Sequence, residues 1–159
     1  NSEAIVAAKA GDPDLYRAMG SWVSGFLTAA NGYEDDTFDL TPWQTPEVAM
    51  AQIARSCEGN AEASLAQVAA AYVRYLRPGR LTEPSKLVAV RNAGQRTFVY
   101  LDVLTQAKAQ LDAAGLFTGD EAPETYAEPF RQAIMQFQVA NGLPPSGLPD
   151  IPTLARLLN

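Results

Sequence analysis

The chain has 159 residues, 47% of them hydrophobic and 19% charged. That is enough apolar material for one ordinary domain or two small ones, and too little charge for a disordered chain. The net charge of −6 and the pI of about 4.6 weigh against nucleic acid or an anionic membrane surface as a general partner. With no histidine and one cysteine, Cys57, the sequence lacks the commonest general base, an internal disulfide and any cysteine-pair zinc site.

The acidity is shared, with ten acids against six bases in residues 1–80 and eight against six in residues 81–159. No apolar run is long enough to span a bilayer. The chain opens Asn1-Ser2-Glu3 without an initiator methionine, which points to a processed or trimmed terminus and leaves room for a removed leader.

In chain order, residues 1–11 are small and polar and read as a flexible arm. Asp12-Pro13 then supplies an N-cap and a first helical residue. Leu15, Met19, Trp22, Val23, Phe26 and Leu27 follow at helical spacing, to a stop near Asn31-Gly32. Residues 33–44 form an acidic, aromatic loop. Thr45-Pro46-Glu47 opens a second helix with Met50, Ile53, Ala54 and Cys57 on its apolar stripe, broken at Glu58-Gly59-Asn60. A third, from about Ala63 to Leu76, carries Leu65, Val68, Ala69, Tyr72 and Val73, and Pro78-Gly79 ends it. Residues 12–77 thus make one helical domain and residues 78–85 a linker.

The period changes at residues 86–100. Leu87, Val88 and Val90, then Phe98, Val99 and Tyr100, flank Asn92-Ala93-Gly94-Gln95, the pattern of a β-hairpin. Helices follow at Leu101–Ala114, with Leu104, Ala107, Leu111 and Ala114 on one face, and at Tyr126–Ala140, with Phe130, Ala133, Ile134 and Phe137 inward. A last short helix is capped by Asp150. The expected fold is mainly α: two small helical domains, a short β-hairpin opening the second, which spans 86–159.

Residues 130–158 carry Phe137-Gln138, Gly142-Leu143, Gly147 and Thr153-Leu154 in that order. With Leu104–Phe117 as a first helix, residues 101–158 resemble the small peptidoglycan-binding domain. In that family a helix ending in Phe-Gln leads to Gly-Leu, a Gly-containing loop and a short helix near Thr-Leu. The family loop between the first two helices usually carries Asp-Gly…Gly…Thr. Here residues 118–125 read Thr-Gly-Asp-Glu-Ala-Pro-Glu-Thr, an acidic loop keeping only fragments of that pattern.

In the first half, Trp22 to Asn31, the acidic loop and the helix ending at Cys57 look like an HdeA-like periplasmic helical domain. Asn60, Leu65 and the Ala-rich third helix fit the same pattern. HdeA is an acid-stress chaperone whose relatives usually join the first two helices by a disulfide. Cys57 would be one partner, with no second cysteine in this sequence. Together the resemblances imply an exported bacterial protein of the periplasm or cell envelope.

Each residue that could carry chemistry also has a plainer reading. Cys57 ends its helix, where the dipole disfavours a thiolate, so it reads as a buried small apolar residue. Glu34, Asp35, Asp36 and Asp39 lack the alternating oxygens, invariant Gly and closing Glu of a calcium loop and read as a solvated loop. Asp120, Glu121, Glu124 and Glu128 cluster in one loop and the helix after it, whereas glycosidase carboxylates face each other across a cleft. Ser21 and Ser24 have no histidine to activate them and no nucleophile-elbow pattern. Trp22, Tyr72, Phe130 and Phe137 fall on core stripes. Tyr33, Phe38 and Trp43 lie in a loop and read as folded back onto the helices.

The expectation is therefore a non-catalytic envelope binding or scaffolding protein, with no catalytic residue, no metal and no cofactor. Its second domain would contact peptidoglycan or an envelope protein through residues the sequence does not single out. Two other functions remain open from the sequence: a structural subunit reusing both modules in a larger assembly, and an acid-stress holdase chaperone.

Overall fold

A computed structural model of the chain describes residues 2–58, 60, 62–120 and 122–159. The break expected at Gly59 and the candidate carboxylate Glu121 lie outside the described residues, as does Asn1. The chain divides into two compact units, Asn1–Pro84 and Ser85–Asn159. The described residues contain seven α-helices and one two-stranded antiparallel sheet, so the fold is mainly α.

The first unit packs four helices: α1 (Ser2–Gly11), α2 (Pro13–Tyr33), α3 (Pro46–Glu58) and α4 (Leu65–Leu76). The flexible arm expected over residues 1–11 is not what residues 2–11 form. They make α1, with Ile5 fully buried and Ala8 almost so. Small residues made this stretch look loose, but they let a helix lie close against its neighbours, and burying one isoleucine stabilises it by roughly 1.5–3 kcal/mol. Asp12 caps α2 as expected, its carboxylate accepting from the Leu15 N–H at 3.0 Å. Thr45 does the same for α3, accepting from Val48 at 3.3 Å. At α4, Ser64 and Gln67 form a reciprocal capping box, so the helix begins at Leu65, slightly later than its apolar pattern implies.

Ile5, Val23, Leu27, Leu40, Met50, Ile53, Cys57, Val68, Tyr72 and Leu76 are among the buried residues of this core. Cys57 is a buried free thiol there. Trp22, placed on the core stripe by its spacing, is instead 45% exposed and stacks on Phe26 at 5.3 Å. Of the loop aromatics, Trp43 is buried, Phe38 is 39% exposed and Tyr33 is 88% exposed, so only the tryptophan folds fully back. The linker expected over residues 78–85 is partly structural. Arg77–Gly79 make a single 3-10 turn, and Leu81 is buried and pairs antiparallel with Asp39. Backbone bonds from Phe38 and Leu81 close that bridge at 2.7 and 2.8 Å.

The second unit opens with the hairpin β1 (Leu87–Asn92) and β2 (Gln95–Tyr100), paired from Leu87↔Tyr100 to Asn92↔Gln95. Ala93 and Gly94 make the two-residue turn with φ of 46° and 80°, the left-handed pair such a turn demands. The register puts Val88, Val90, Thr97 and Val99 on one face, and Val90 and Val99 are buried. The helices α5 (Leu101–Ala113), α6 (Glu128–Ala140) and α7 (Ile151–Leu157) complete the unit.

The Ser85 hydroxyl accepts from the Asp102 N–H at 3.1 Å and covers one donor at the start of α5. Gly115, at φ 70°, follows the end of that helix. Ala114 lies beyond it and is exposed, not on the core face. The helix expected from Tyr126 begins two residues later, because Tyr126 adopts φ 43° and only from Glu128, with Pro129 behind it, is the backbone helical.

Candidate functional site

The C-terminal half of the second unit is organised by one polar side chain. Gln138 leaves α6 on its inner face and is fully buried, while its neighbour Phe137, expected inward, is only half-buried. A buried amide is tolerated only when its donors and acceptor are met. Here its Oε1 accepts from the Gly147 N–H at 2.9 Å. Its Nε2 lies 2.9 Å from Ser146 Oγ, 3.0 Å from the Leu148 carbonyl and 2.8 Å from Thr153 Oγ1, three acceptors sharing two protons.

The orientation follows from Asp150. Its carboxylate takes the Thr153 hydroxyl proton at 2.6 Å and the Ser146 hydroxyl proton at 3.1 Å. Both hydroxyls must therefore turn lone pairs towards the amide, which fixes the NH2 on that side. The same carboxylate accepts from the Thr153 N–H at 3.0 Å and so caps α7. One acid thus starts a helix and polarises a buried network.

Two further side chains hold the loop between α6 and α7. The Tyr126 hydroxyl donates to the Gly147 carbonyl at 2.6 Å, and Asn92 Nδ2 donates to the Ser146 carbonyl at 2.7 Å. Tyr126 packs its ring on Phe130 at 5.2 Å, and Phe130 packs on Phe117 at 5.5 Å. The loop is thereby tied through three aromatic rings to the segment after α5. None of this was visible as a site in the sequence. The sequence marks Gln138 and Gly147 only as family motif positions, Asn92 only as part of a turn and Tyr126 only as a helix start.

Burial pushes the Tyr126 phenol well above its ordinary value of about 10, with the Asp150 charge adding to the rise and Arg131 opposing it. A group whose folded value exceeds its unfolded one gives stability that is whole below the unfolded value and lost as pH rises past it. The second unit is therefore expected to weaken above about pH 10. Tyr126→Phe should remove that part of the alkaline loss, while costing about 1–3 kcal/mol at neutral pH by leaving the Gly147 carbonyl without its donor. Amide exchange at Gly147 and Leu148 across pH 7–11 reads both effects in this unit alone. An unchanged alkaline profile in the variant would contradict the assignment.

Phe117 also walls a surface cleft of about 450 Å3. Thr105, Lys108, Ala109 and Asp112 of α5 form one side, and Phe117, Thr118, Gly119 and Asp120 the other. The Lys108 ammonium lies 5.1 Å from the centre of the Phe117 ring, a cation–π contact that holds it along the wall. The cleft is thus lined by one cation, two carboxylates and two hydroxyls beside an aromatic edge. It lies on the segment where the sequence departs from the family pattern.

The other sequence candidates are scattered. Glu124 and Glu128 are exposed, and Glu128 pairs with Arg131 one helical turn on. In the first unit Glu34 pairs with Arg77, Asp39 accepts from the Thr41 N–H at 2.9 Å, and Asp35 and Asp36 are exposed. Among the described residues no group of three or more His, Cys, Asp or Glu is placed to hold a metal ion. No described helix is long and apolar enough to cross a membrane.

Comparison with known families places this unit. Residues 102–157, which take in α6, α7, nearly all of α5 and the loops between them, match the family model described as "Putative peptidoglycan binding domain". No curated protein and no solved structure matches the chain.

Proposed function

We propose that this chain is a non-catalytic binding or scaffolding protein of the bacterial cell envelope, whose second unit contacts peptidoglycan through the cleft between α5 and residues 117–120. The observation that carries the reading is the family match over residues 102–157. The Gln138 network supports it physically, because it keeps the scaffold rigid while the 118–125 loop diverges. Peptidoglycan joins sugars to short peptides bearing carboxylates, amides and amines. Lys108 suits a carboxylate, Asp112 and Asp120 suit amine or amide N–H groups, and Thr105 and Thr118 suit either. Contacts of this kind are electrostatic and hydrogen-bonded and need no covalent step. A binding module of this family is consistent with a chain that acts by attachment, with the first unit facing a protein partner in the periplasm.

Titration of the intact protein with soluble peptidoglycan fragments, followed by amide chemical shifts, tests the cleft. Shifts should concentrate at Thr105, Lys108, Asp112 and Thr118. Lys108→Glu should weaken binding about tenfold or more, the loss of one charge-assisted contact. Shifts confined to the hairpin or to the loop between α6 and α7 would place the contact elsewhere and overturn the assignment.

A further inference from the structure

The first unit has a pocket of its own, of about 240 Å3, between α2, the loop after it and the start of α3. We propose that it is a site for a single neutral sugar ring. Ser24, Thr28 and Asn31 recur on one face of α2 and line one wall. Asp39, Thr41 and Gln44 line the loop side, Thr45 and Pro46 close the end at α3, and Leu27 and Ala49, both buried, form an apolar floor.

The geometry of the loop side is fixed. The Asn31 side chain accepts from the Leu40 N–H at 2.6 Å and donates to the Phe38 carbonyl at 3.5 Å. Asp39 Oδ1 accepts from the Thr41 N–H at 2.9 Å, and Asp39 is bridged to Leu81. The loop is therefore tied down at residues 38–41, so this part of the lining does not need to be ordered by the ligand.

The lining chooses the ligand by chemistry. No Lys or Arg lines the pocket, so an anion is disfavoured. A single carboxylate is too few for a divalent cation, which takes six or more oxygens. An apolar molecule would strip water from hydroxyls and amides without replacing its bonds. Among uncharged ligands this leaves a small molecule carrying several hydroxyls, matched to the row of hydroxyls and amides that lines the pocket. Asp39 can accept from one hydroxyl in a charge-assisted bond, and Ser24, Thr41 and Gln44 can meet others. The volume is below the ~300–1,000 Å3 of drug-sized sites, which fits one ring and not a chain of them. This inference does not rest on the cell-wall reading, since it concerns the other unit.

The test is a set of amide-shift titrations of the intact protein with N-acetylglucosamine and glucose, and with glucuronate as an anionic ring of like size. The neutral sugars should shift Ser24, Thr28, Thr41 and Gln44 with a dissociation constant on the order of 1–10 mM, as suits a ligand of so few atoms. Glucuronate should bind at least several-fold more weakly. Thr28→Arg, on an exposed helical position that tolerates arginine, should fill the pocket and abolish the shifts while leaving the rest of the spectrum in place. Asp39→Asn, which can still accept from the Thr41 N–H, should weaken binding about three- to tenfold. Absence of shifts with both neutral sugars, equal binding of glucuronate, or binding that survives Thr28→Arg would each overturn the proposal.

Discussion

Replacing Gln138 by leucine or by glutamate is expected to destabilise the second unit by about 3–5 kcal/mol, most of what a unit of this size has to lose. Leucine fills nearly the same volume, so the loss is not a cavity effect. It leaves the Gly147 N–H and the Leu148 carbonyl without their side-chain partner, in the part of the unit where Gly147 and Leu148 are themselves buried. Glutamate is the sharper variant. At neutral pH it is an acceptor only, facing the Ser146 and Thr153 hydroxyl oxygens and the Leu148 carbonyl, with the Asp150 carboxylate just behind the two hydroxyls. Both variants should show early loss of amide protection at residues 143–154 with the first unit unchanged. A shift below about 1 kcal/mol would mean that the network is ornamental and that apolar packing alone holds the loop.

Gly147→Ala should be nearly as damaging, at about 2–4 kcal/mol, for a reason that lies in the backbone. Gly147 has φ 62°, and an added Cβ would meet Asn92 Nδ2 at 2.8 Å, Arg131 Cγ at 3.0 Å and Met135 Cγ at 3.1 Å. The arginine and methionine contacts ask for only a few tenths of an ångström of movement. The Asn92 amide cannot shift freely, because it donates to the Ser146 carbonyl and ties the hairpin to the loop. The alanine therefore strains φ and pushes on that tie at once. Gly142→Ala is the internal control. It also has positive φ, at 68°, but nothing lies near its added Cβ, so it should cost only the conformational part, about 1 kcal/mol. Chemical denaturation of both variants, read by a probe in the second unit, gives the comparison. Equal losses would contradict the assigned role of Asn92.

Local chemistry made much of the fold legible. The hairpin declared itself by alternation around Ala93-Gly94, and α2, α3 and α7 by Asp12, Thr45 and Asp150 at their starts. What the sequence hid was decided by distant parts of the chain. Residues 2–11 became a helix because the neighbouring helices cover Ile5 and Ala8, and nothing local says so. Trp22 follows the helical period of its stripe yet sits at the stripe's edge, where it stacks on Phe26 in place of entering the core. Gln138 shows the limit most clearly. A polar residue between Phe137 and Val139 carries no mark of burial, and its partners lie eight to fifteen residues further on. The cleft beside Lys108 was equally unreadable, because it requires knowing that residues 117–120 return alongside α5.

The proposed attachment of residues 85–159 to the cell wall is read by sedimenting the intact chain with insoluble peptidoglycan sacculi, with Lys108→Glu run alongside. The native protein should pellet with sacculi, and the variant, folded by its amide spectrum, should be largely released to the supernatant. Native protein that stays in the supernatant would rule out cell-wall attachment and leave the module as a retained fold serving another partner.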